Sequence, residues 1–279
     1  MKALFGPAGN PDKFYEAGHK STMQIPKYLA DMGLTAYEYQ CGRGVNVGLE
    51  TARKFGEEAR AFGITLSLHA PYYISLSSPE ADKRDNSINY ILESARAADA
   101  MGARRIIIHS GAAGKMSREA AMELARDTLY RAQQAVDAEG LGHVSLCPET
   151  MGKINQLGTL EEVLSLCGLD PRMIPCIDFG HLNARTLGGI AGAEDYEKIL
   201  DAVGRPDFHV HFSKIEYTQG GEKRHLTFTD DLGFGPPYEP LADLIAKRGA
   251  TPTIICESAG TQDIDAKTMM EVYEACRQE

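Results

Sequence analysis

Short apolar runs alternate with longer stretches of helical periodicity along the whole chain. Eight runs of four to six residues predict β-strands at 3–6, 36–40, 65–69, 105–109, 143–148, 173–178, 208–212 and 253–257. The stretches that follow them predict amphipathic helices at 23–32, 49–62, 82–101, 117–139, 160–167, 193–203, 238–248 and 264–278. The chain therefore repeats a strand and then a helix eight times.

Strict alternation of strand and helix is typical of parallel α/β folds. With short connections over 279 residues, it favours one closed (β/α)8 TIM barrel that spans residues 1–279 as a single domain. An open doubly wound sheet is the alternative. Against that alternative, the chain has neither a G-x-G-x-x-G after its first strand nor a G-x-x-x-x-G-K-[ST], the motifs with which open sheets usually bind nucleotides.

The composition is that of a soluble globular protein, with 43% hydrophobic and 24% charged residues. Because no stretch approaches the roughly 18 apolar residues of a membrane span and no signal peptide is evident, we expect a cytoplasmic protein with no membrane contact. The six cysteines are scattered without a C-x-x-C, and most are expected to be free thiols. A net charge of −10 argues against a broad basic face that coats nucleic acid, although a local site remains compatible with it.

Residue types that bind metals stand at the ends of six consecutive predicted strands. In chain order they are His69, His109, Glu149, Asp178, the pair His209 and His211, and Glu257. A single histidine at a strand end is more often a hydrogen-bonded structural residue than a ligand. In a closed barrel, however, all C-terminal strand ends meet on one face, so these distant residues are expected in one site. Metal ions would supply the partners that buried imidazoles and carboxylates need.

Three further candidates lie just beyond strand ends. His181 follows Asp178 by three residues in a predicted loop, while Glu222 and His225 lie in the long loop after the seventh strand. Long loops in compact barrels are usually functional or mobile. The alternatives are a histidine that caps a helix and a solvated charged loop.

The ligand types narrow the choice of metal. Imidazole nitrogens and carboxylate oxygens without a thiolate spacing suit zinc, manganese or iron. Zinc (Zn2+) is the first choice, with two or three ions, and Mn2+ is the alternative. Glu149 could bridge two ions about 3.5–4 Å apart, an arrangement that stabilises both oxygens in phosphodiester displacement.

The segments around these candidate ligands resemble the endonuclease IV branch (AP endonuclease family 2) of the xylose-isomerase-like barrels, and the resemblance extends over essentially the whole chain. The matching segments are His69-Ala-Pro-Tyr72-Tyr73, Ile108-His109, Glu149-Thr-Met-Gly, Asp178-Phe-Gly-His181 and Cys256-Glu257-Ser. The resemblance implies that His69, His109 and Glu149 hold one zinc. It implies a second zinc on Glu149, Asp178, a strand-seven histidine and Glu257, and a third that His181 helps to hold.

The chain departs from the family pattern at three places. In His209-Val-His211-Phe-Ser-Lys214, the spacing to the lysine designates His209, whereas His211 is nearer the end of the strand, so both stay candidates. Glu222-Lys-Arg-His225 stands where the family has D-R-H. The loop after the second strand keeps one arginine, Arg43, and with Tyr72 and Tyr73 it could contact a kinked duplex or line a small-molecule pocket.

Two enzyme functions compete. The resemblance implies a zinc-dependent phosphodiesterase that cleaves duplex DNA at abasic sites, with Glu149 and Glu257 as candidate catalytic residues. The alternative is a metal-dependent sugar isomerase or epimerase, in which one ion polarises a carbonyl while the carboxylates move a proton. A barrel that only binds a ligand is the third hypothesis, and ligand residues on six strands disfavour it.

Overall fold

The computed structural model describes residues 2–278, and all eight predicted strands are present. Seven of the barrel strands come first in the chain: β1 (Leu4–Pro7), β2 (Ala36–Gln40), β3 (Thr65–His69), β4 (Arg105–Ile108), β5 (Ser145–Pro148), β6 (Cys176–Asp178) and β7 (His209–Phe212). A hairpin follows, made of β8 (Lys214–Thr218) and β9 (Gly221–Leu226), before the last barrel strand, β10 (Thr253–Cys256). The predicted ends of the barrel strands agree with these bounds to within three residues.

The strands close into a barrel. Two four-stranded parallel sheets, ordered β1-β10-β7-β6 and β2-β3-β4-β5, meet at two seams. At one seam Ala8 pairs with Glu38, and at the other Glu149 pairs with Cys176, both in parallel. The N–H of Thr150 donates to the carbonyl of Cys176 at 3.0 Å across the second seam. The predicted TIM barrel is therefore confirmed, and the open doubly wound sheet is wrong.

Helices cover the outside of the barrel. They are α1 (Asp12–Glu16), α2 (Ile25–Asp31), α3 (Leu49–Ala61), α4 (Ala81–Met101), α5 (Arg118–Ala138), α6 (Leu160–Cys167), α7 (Phe179–Arg185), α8 (Ala193–Val203), α9 (Glu239–Arg248) and α10 (Gln262–Cys276), with a 3-10 turn at Thr22–Gln24 before α2. All eight predicted helices occur, with ends that agree to within two residues. Helix α6 begins with a capping box in which Thr159 and Glu162 satisfy each other's backbone N–H groups.

Two segments that were predicted as loops are regular structure. Residues 178–181 enter α7 directly from β6, because the Asp178 carboxylate accepts the N–H of His181 at 2.6 Å and caps the helix. Residues 221–225 belong to β9, which pairs antiparallel with β8. Glu216 on β8 bonds Lys223 and Arg224 on β9, so cross-strand ion pairs support this hairpin where the hydrophobic pattern is weak.

Cys41, Cys147, Cys167, Cys176 and Cys256 are free thiols, which agrees with the expectation for most of the cysteines. Within residues 2–278, no helix combines the length and the apolar character that crossing a membrane requires.

The contact between β1 and β2 depends on a missing side chain. A Cβ built on Gly6 would lie 1.7 Å from the carbonyl oxygen of Ala36, far inside van der Waals contact. The two backbones can therefore approach and close the barrel only with glycine at this position.

Gly6→Ala is expected to destabilise the protein by about 2–3 kcal/mol, since an added methyl forces the seam apart. Urea unfolding in the presence of a chelator measures this change. Gly168→Ala is the control, because Gly168 ends α6 at φ −67° and ψ −7°, a conformation that alanine adopts freely. The control should change the free energy of unfolding by less than about 0.5 kcal/mol. Equal stability of the two variants would contradict the close approach at Gly6.

Candidate metal centre

Barrel closure brings the predicted ligands to one rim. His69 ends β3, Asp178 ends β6 and His211 lies on β7. His109, Glu149 and Glu257 each follow directly after β4, β5 and β10. Residues that are up to 188 positions apart in the chain thus become neighbours, as the strand topology predicts.

Glu149 is the central residue of this rim. Its side chain is only 1% exposed. One carboxylate oxygen, Oε2, lies 3.4 Å from Nε2 of His69 and 3.1 Å from Nε2 of His109. The other, Oε1, lies 2.8 Å from Nδ1 of His211. The carboxylate therefore links two groups of ligand atoms.

The first group consists of His69, His109 and Glu149, whose ligand atoms lie within 4.8 Å of one another. Nδ1 of His69 lies 2.8 Å from the carbonyl oxygen of Ala70. Because a carbonyl can only accept, Nδ1 carries a proton, and Nε2 is the nitrogen that faces the group.

The second group consists of Glu149, Asp178, His211 and Glu257, again with ligand atoms within 4.8 Å of one another. Nδ1 of His211 lies 3.5 Å from Oε1 of Glu257 as well as close to Glu149. In Asp178, Oδ1 is engaged in capping α7, which leaves Oδ2 available. This set offers three carboxylates and one imidazole.

The third group consists of His181, Glu222 and His225. Nδ1 of His181 lies 3.0 Å from the carbonyl oxygen of Thr150, so Nε2 turns toward Glu222 at 3.4 Å. Nε2 of His225 lies 3.8 Å from Oε1 of Glu222. The hairpin of β8 and β9 therefore brings Glu222 and His225, which were predicted to lie in a loop, close to His181.

The structure separates His209 from His211. His211 belongs to the second group, whereas His209 lies deeper in the barrel and bonds Oε2 of Glu38 through Nε2 at 3.0 Å. His209 also forms a set with Cys176 and His211 whose ligand atoms lie within 4.8 Å. Burial lowers the pKa of His209 to about 4, so its imidazole is neutral at physiological pH.

Glu38 is a polar residue of this region that the sequence analysis missed. It lies in the middle of β2, fully buried, and accepts a hydrogen bond from Oγ of Ser67 at 2.8 Å. Its Oε1 lies 2.9 Å from Nε2 of His211, which reaches it from β7 through the barrel interior. The available signal was an acidic residue in the middle of a predicted strand, where alternation of side chains directs every second one into the barrel. Glu38 does not stand at the end of its strand, as the predicted ligands do.

The ligand atoms have the properties of a metal-binding donor set. Glu149 Oε2 and Asp178 Oδ2 are buried and make no hydrogen bond with any of residues 2–278. A buried polar atom without a partner is costly, and a cation satisfies carboxylate oxygens directly. Mixed imidazole and carboxylate donors suit divalent transition ions. The residues present therefore fit the ions that the sequence predicted.

The buried carboxylates and the burial itself shift the pKa values of the residues in the centre. Burial alone would lower the pKa of His69, but Glu149 outweighs burial and raises it to about 9. Burial would also lower the pKa of His181, but the carboxylates of Asp178 and Glu149 outweigh burial and raise it to about 9. Burial raises the pKa of Asp178 to about 6. Without metal, protons hold the positions that cations would take.

The predicted substrate-binding residues lie together on the loops after β2 and β3. Tyr72 and Tyr73 are about half exposed, with ring centroids 5.0 Å apart. Nε of Arg43 donates to the hydroxyl of Tyr72 at 3.0 Å. The tyrosines follow His69 within four residues, so this exposed aromatic pair adjoins the rim of the metal centre.

Two sequence relatives match the chain over different lengths. An uncharacterized protein of Methanocaldococcus jannaschii is 32% identical over 277 residues, which cover 97% of this chain and 96% of that protein. A protein of Acholeplasma laidlawii named "Probable endonuclease 4" is 31% identical over 199 residues and is matched over 64% of each chain.

Solved structures of two kinds share the fold. Endonuclease IV from Thermus thermophilus superposes with a TM-score of 0.68 at 19% identity, over 99% of both chains. A D-tagatose 3-epimerase-like protein superposes with a TM-score of 0.72 at 17% identity, over 99% of this chain and 98% of that one. Identities this low show the shared fold alone.

A family profile assigns the chain as a whole. The profile described as "Xylose isomerase-like TIM barrel" matches residues 26–276. Together with the matches to endonuclease 4 and endonuclease IV, it confirms the resemblance that the strand-end motifs indicated. The chain belongs to the xylose isomerase-like TIM barrel family.

Proposed function

We propose that this protein is a zinc-dependent phosphodiesterase that cleaves duplex DNA at abasic sites. The observation that carries the proposal is the presence of three adjacent ligand groups, with Glu149 shared between two of them. One ion would need only one such group. Several ions in contact with one phosphate are typical of phosphodiester cleavage.

The residues of the centre have different roles according to their position. When bound, divalent ions here would neutralise phosphate charge and activate water as a nucleophile. Glu149 holds the first and second groups in register through its two oxygens. His109, Glu257 and His225 have side chains that are 22%, 16% and 25% exposed, whereas His69, His181 and His211 are at most 10% exposed. The substrate would therefore approach along the edge formed by His109, Glu257 and His225.

Contact with DNA would be local, because the net charge is −10. Tyr72 and Tyr73 offer two exposed rings beside the rim, and Arg43 adds a cation that is hydrogen-bonded to one of them. Aromatic rings stack on unpaired bases, and wedges of this kind open a kinked duplex. The similarity to "Probable endonuclease 4" over 199 residues supports the same substrate.

A sugar isomerase or epimerase is the second candidate. Glu149, Asp178, His211 and Glu257 alone form a complete set for one ion. In this reading, Glu149 and Glu257 would move a proton at the carbon next to a carbonyl. The fold shared with a D-tagatose 3-epimerase-like protein supports this candidate, and the first and third ligand groups favour the nuclease.

The zinc-loaded protein is expected to incise a duplex that contains one abasic site and to lose this activity when a chelator removes the metal. Glu149→Gln should reduce incision by about 100-fold or more, because the carboxylate shared by two ligand groups becomes neutral. Gel separation of an end-labelled duplex measures the rate.

Glu139→Gln is the matched control for that assay. Glu139 lies at the C-terminal end of α5, pairs with Arg96 and belongs to none of the ligand groups formed within residues 2–278, so its loss should change the rate by less than about twofold. Turnover of free ketoses without any incision would contradict the nuclease and favour the second candidate.

Tyr73→Ala is expected to weaken binding of the abasic duplex by about tenfold, since one stacking surface is lost, while the metal content stays unchanged. Fluorescence anisotropy measures the Kd. Tyr130→Ala is the control, because Tyr130 is 50% exposed on α5, away from the rim. Unchanged DNA affinity together with a raised KM for a ketose would assign the tyrosines to a sugar pocket.

The metal-free protein should lose stability as the pH rises. A histidine whose folded pKa is raised stabilises the fold fully below its unfolded pKa, and this stability disappears as the pH passes through the folded value. With His69 and His181 at about 9, the free energy of unfolding in chelator should fall between about pH 7 and about pH 9.5.

Urea unfolding at several pH values measures that slope. The double variant His69→Gln, His181→Gln should flatten it, whereas His143→Gln, a half-exposed histidine paired with Asp99, should retain it. A metal-free protein whose stability is constant or increases over this range would contradict the assigned electrostatics.

A further inference from the structure

The barrel layer beneath the metal centre contains an unusual buried carboxylate. In TIM barrels this interior is normally filled by branched apolar side chains. Here Glu38 is fully buried and receives hydrogen bonds from Ser67, His209 and Gln40, at 2.8, 3.0 and 3.2 Å. A buried carboxylate is tolerated only when such partners compensate for its lost hydration.

One contact of Glu38 reaches the ligand layer above it. His211 points Nδ1 at Glu149 and Glu257, so its other nitrogen, Nε2, faces down into the barrel. Nε2 lies 2.9 Å from Oε1 of Glu38, in an off-axis contact that does not meet hydrogen-bond geometry. An ionised carboxylate can only accept, and Glu149 lies at Nδ1 just as Glu38 lies at Nε2. A cation bound at Nδ1 would replace the proton there, and Glu38 would then keep the remaining proton on Nε2.

We propose that Glu38 is the positioning residue that fixes the tautomer and the orientation of His211 for metal binding. The inference rests on the ligand role of the second group in the proposed function, and it does not require that DNA is the substrate. Metal-bound histidines commonly donate their second N–H to a carboxylate, which also makes the ligand nitrogen more basic. Glu38 places a carboxylate 2.9 Å from Nε2 of His211. It does so from β2, a strand that supplies no residue to any of the ligand groups formed within residues 2–278.

The charge on Glu38 is the property to test. Glu38→Gln keeps the shape of the side chain and removes the charge that favours the Nε2 proton. The folded variant should bind one equivalent of zinc on the order of 10- to 100-fold more weakly than the unchanged protein. Competition with a chromophoric chelator measures each equivalent, and urea unfolding of the metal-free variant measures its stability separately.

Two variants bracket the result. Ser67→Ala removes a hydrogen bond to the same carboxylate without touching His211, and it should change zinc affinity by less than about twofold. His211→Ala removes the ligand itself and should abolish binding of the same equivalent. If Glu38→Gln does not fold, Glu38→Asp retains the charge but withdraws it by one methylene from Nε2, and it too should weaken that equivalent.

A purely structural role for Glu38 predicts a different result. The metal-free variant would then be less stable, while the folded protein would bind zinc with unchanged affinity, and this outcome would overturn the proposal. Equal zinc binding by His211→Ala and the unchanged protein would overturn both this proposal and the second ligand group. Zinc binding that depends on Glu38 in a protein that does not cleave abasic DNA would leave the positioning role standing and remove only the nuclease.

Discussion

The structure depends on one electrostatic constraint, which is that a buried carboxylate must share a small volume with several other ionisable groups. Glu149 is 1% exposed, and His69, His109 and His211 lie within 3.4 Å of its two oxygens. Burial would raise the pKa of Glu149, but the surrounding imidazoles, with His211 foremost, hold it well below its usual value. An ionised carboxylate in this position attracts cations, whether they are protons on imidazole or metal ions.

Barrel closure brings these ionisable groups together, and the depth of each residue in the barrel decides whether it belongs to the ligand groups or to the layer below them. The rim carries the ligand groups, and the layer below carries Glu38, His209 and Ser67 as a second polar network. His211 belongs to both layers, because its two ring nitrogens face Glu149 above and Glu38 below. The same barrel can support either DNA cleavage or sugar chemistry, so the number and spacing of ligand groups carry more functional information than the fold.

The sequence predicted most of the barrel because a buried parallel strand and an amphipathic helix leave distinct hydrophobic periods. It missed α7 and the hairpin of β8 and β9, where a side-chain cap and cross-strand ion pairs replace an apolar pattern. It also missed Glu38, since the contact with His211 joins two strands that are far apart in the chain and has no signature in the sequence.

The choice between His209 and His211 shows most clearly what could not be predicted from the sequence. Both point into the barrel, because they are two residues apart on one strand. The pairing of β7 with its neighbours sets their depth, and β6 places His211 opposite Asp178 and His209 opposite Cys176. Register between strands is a property of the folded chain, so a spacing to Lys214 could not supply it.

We infer that these side chains together bind several ions. Crystals of the zinc-loaded protein, measured with X-rays on both sides of the zinc absorption edge, locate the ions in an anomalous difference map. We expect separate peaks beside Glu149, one toward His69 and His109 and one toward Asp178, His211 and Glu257, with a third between His181, Glu222 and His225. A map without a peak at Glu149, or with zinc only at surface residues, would contradict this inference.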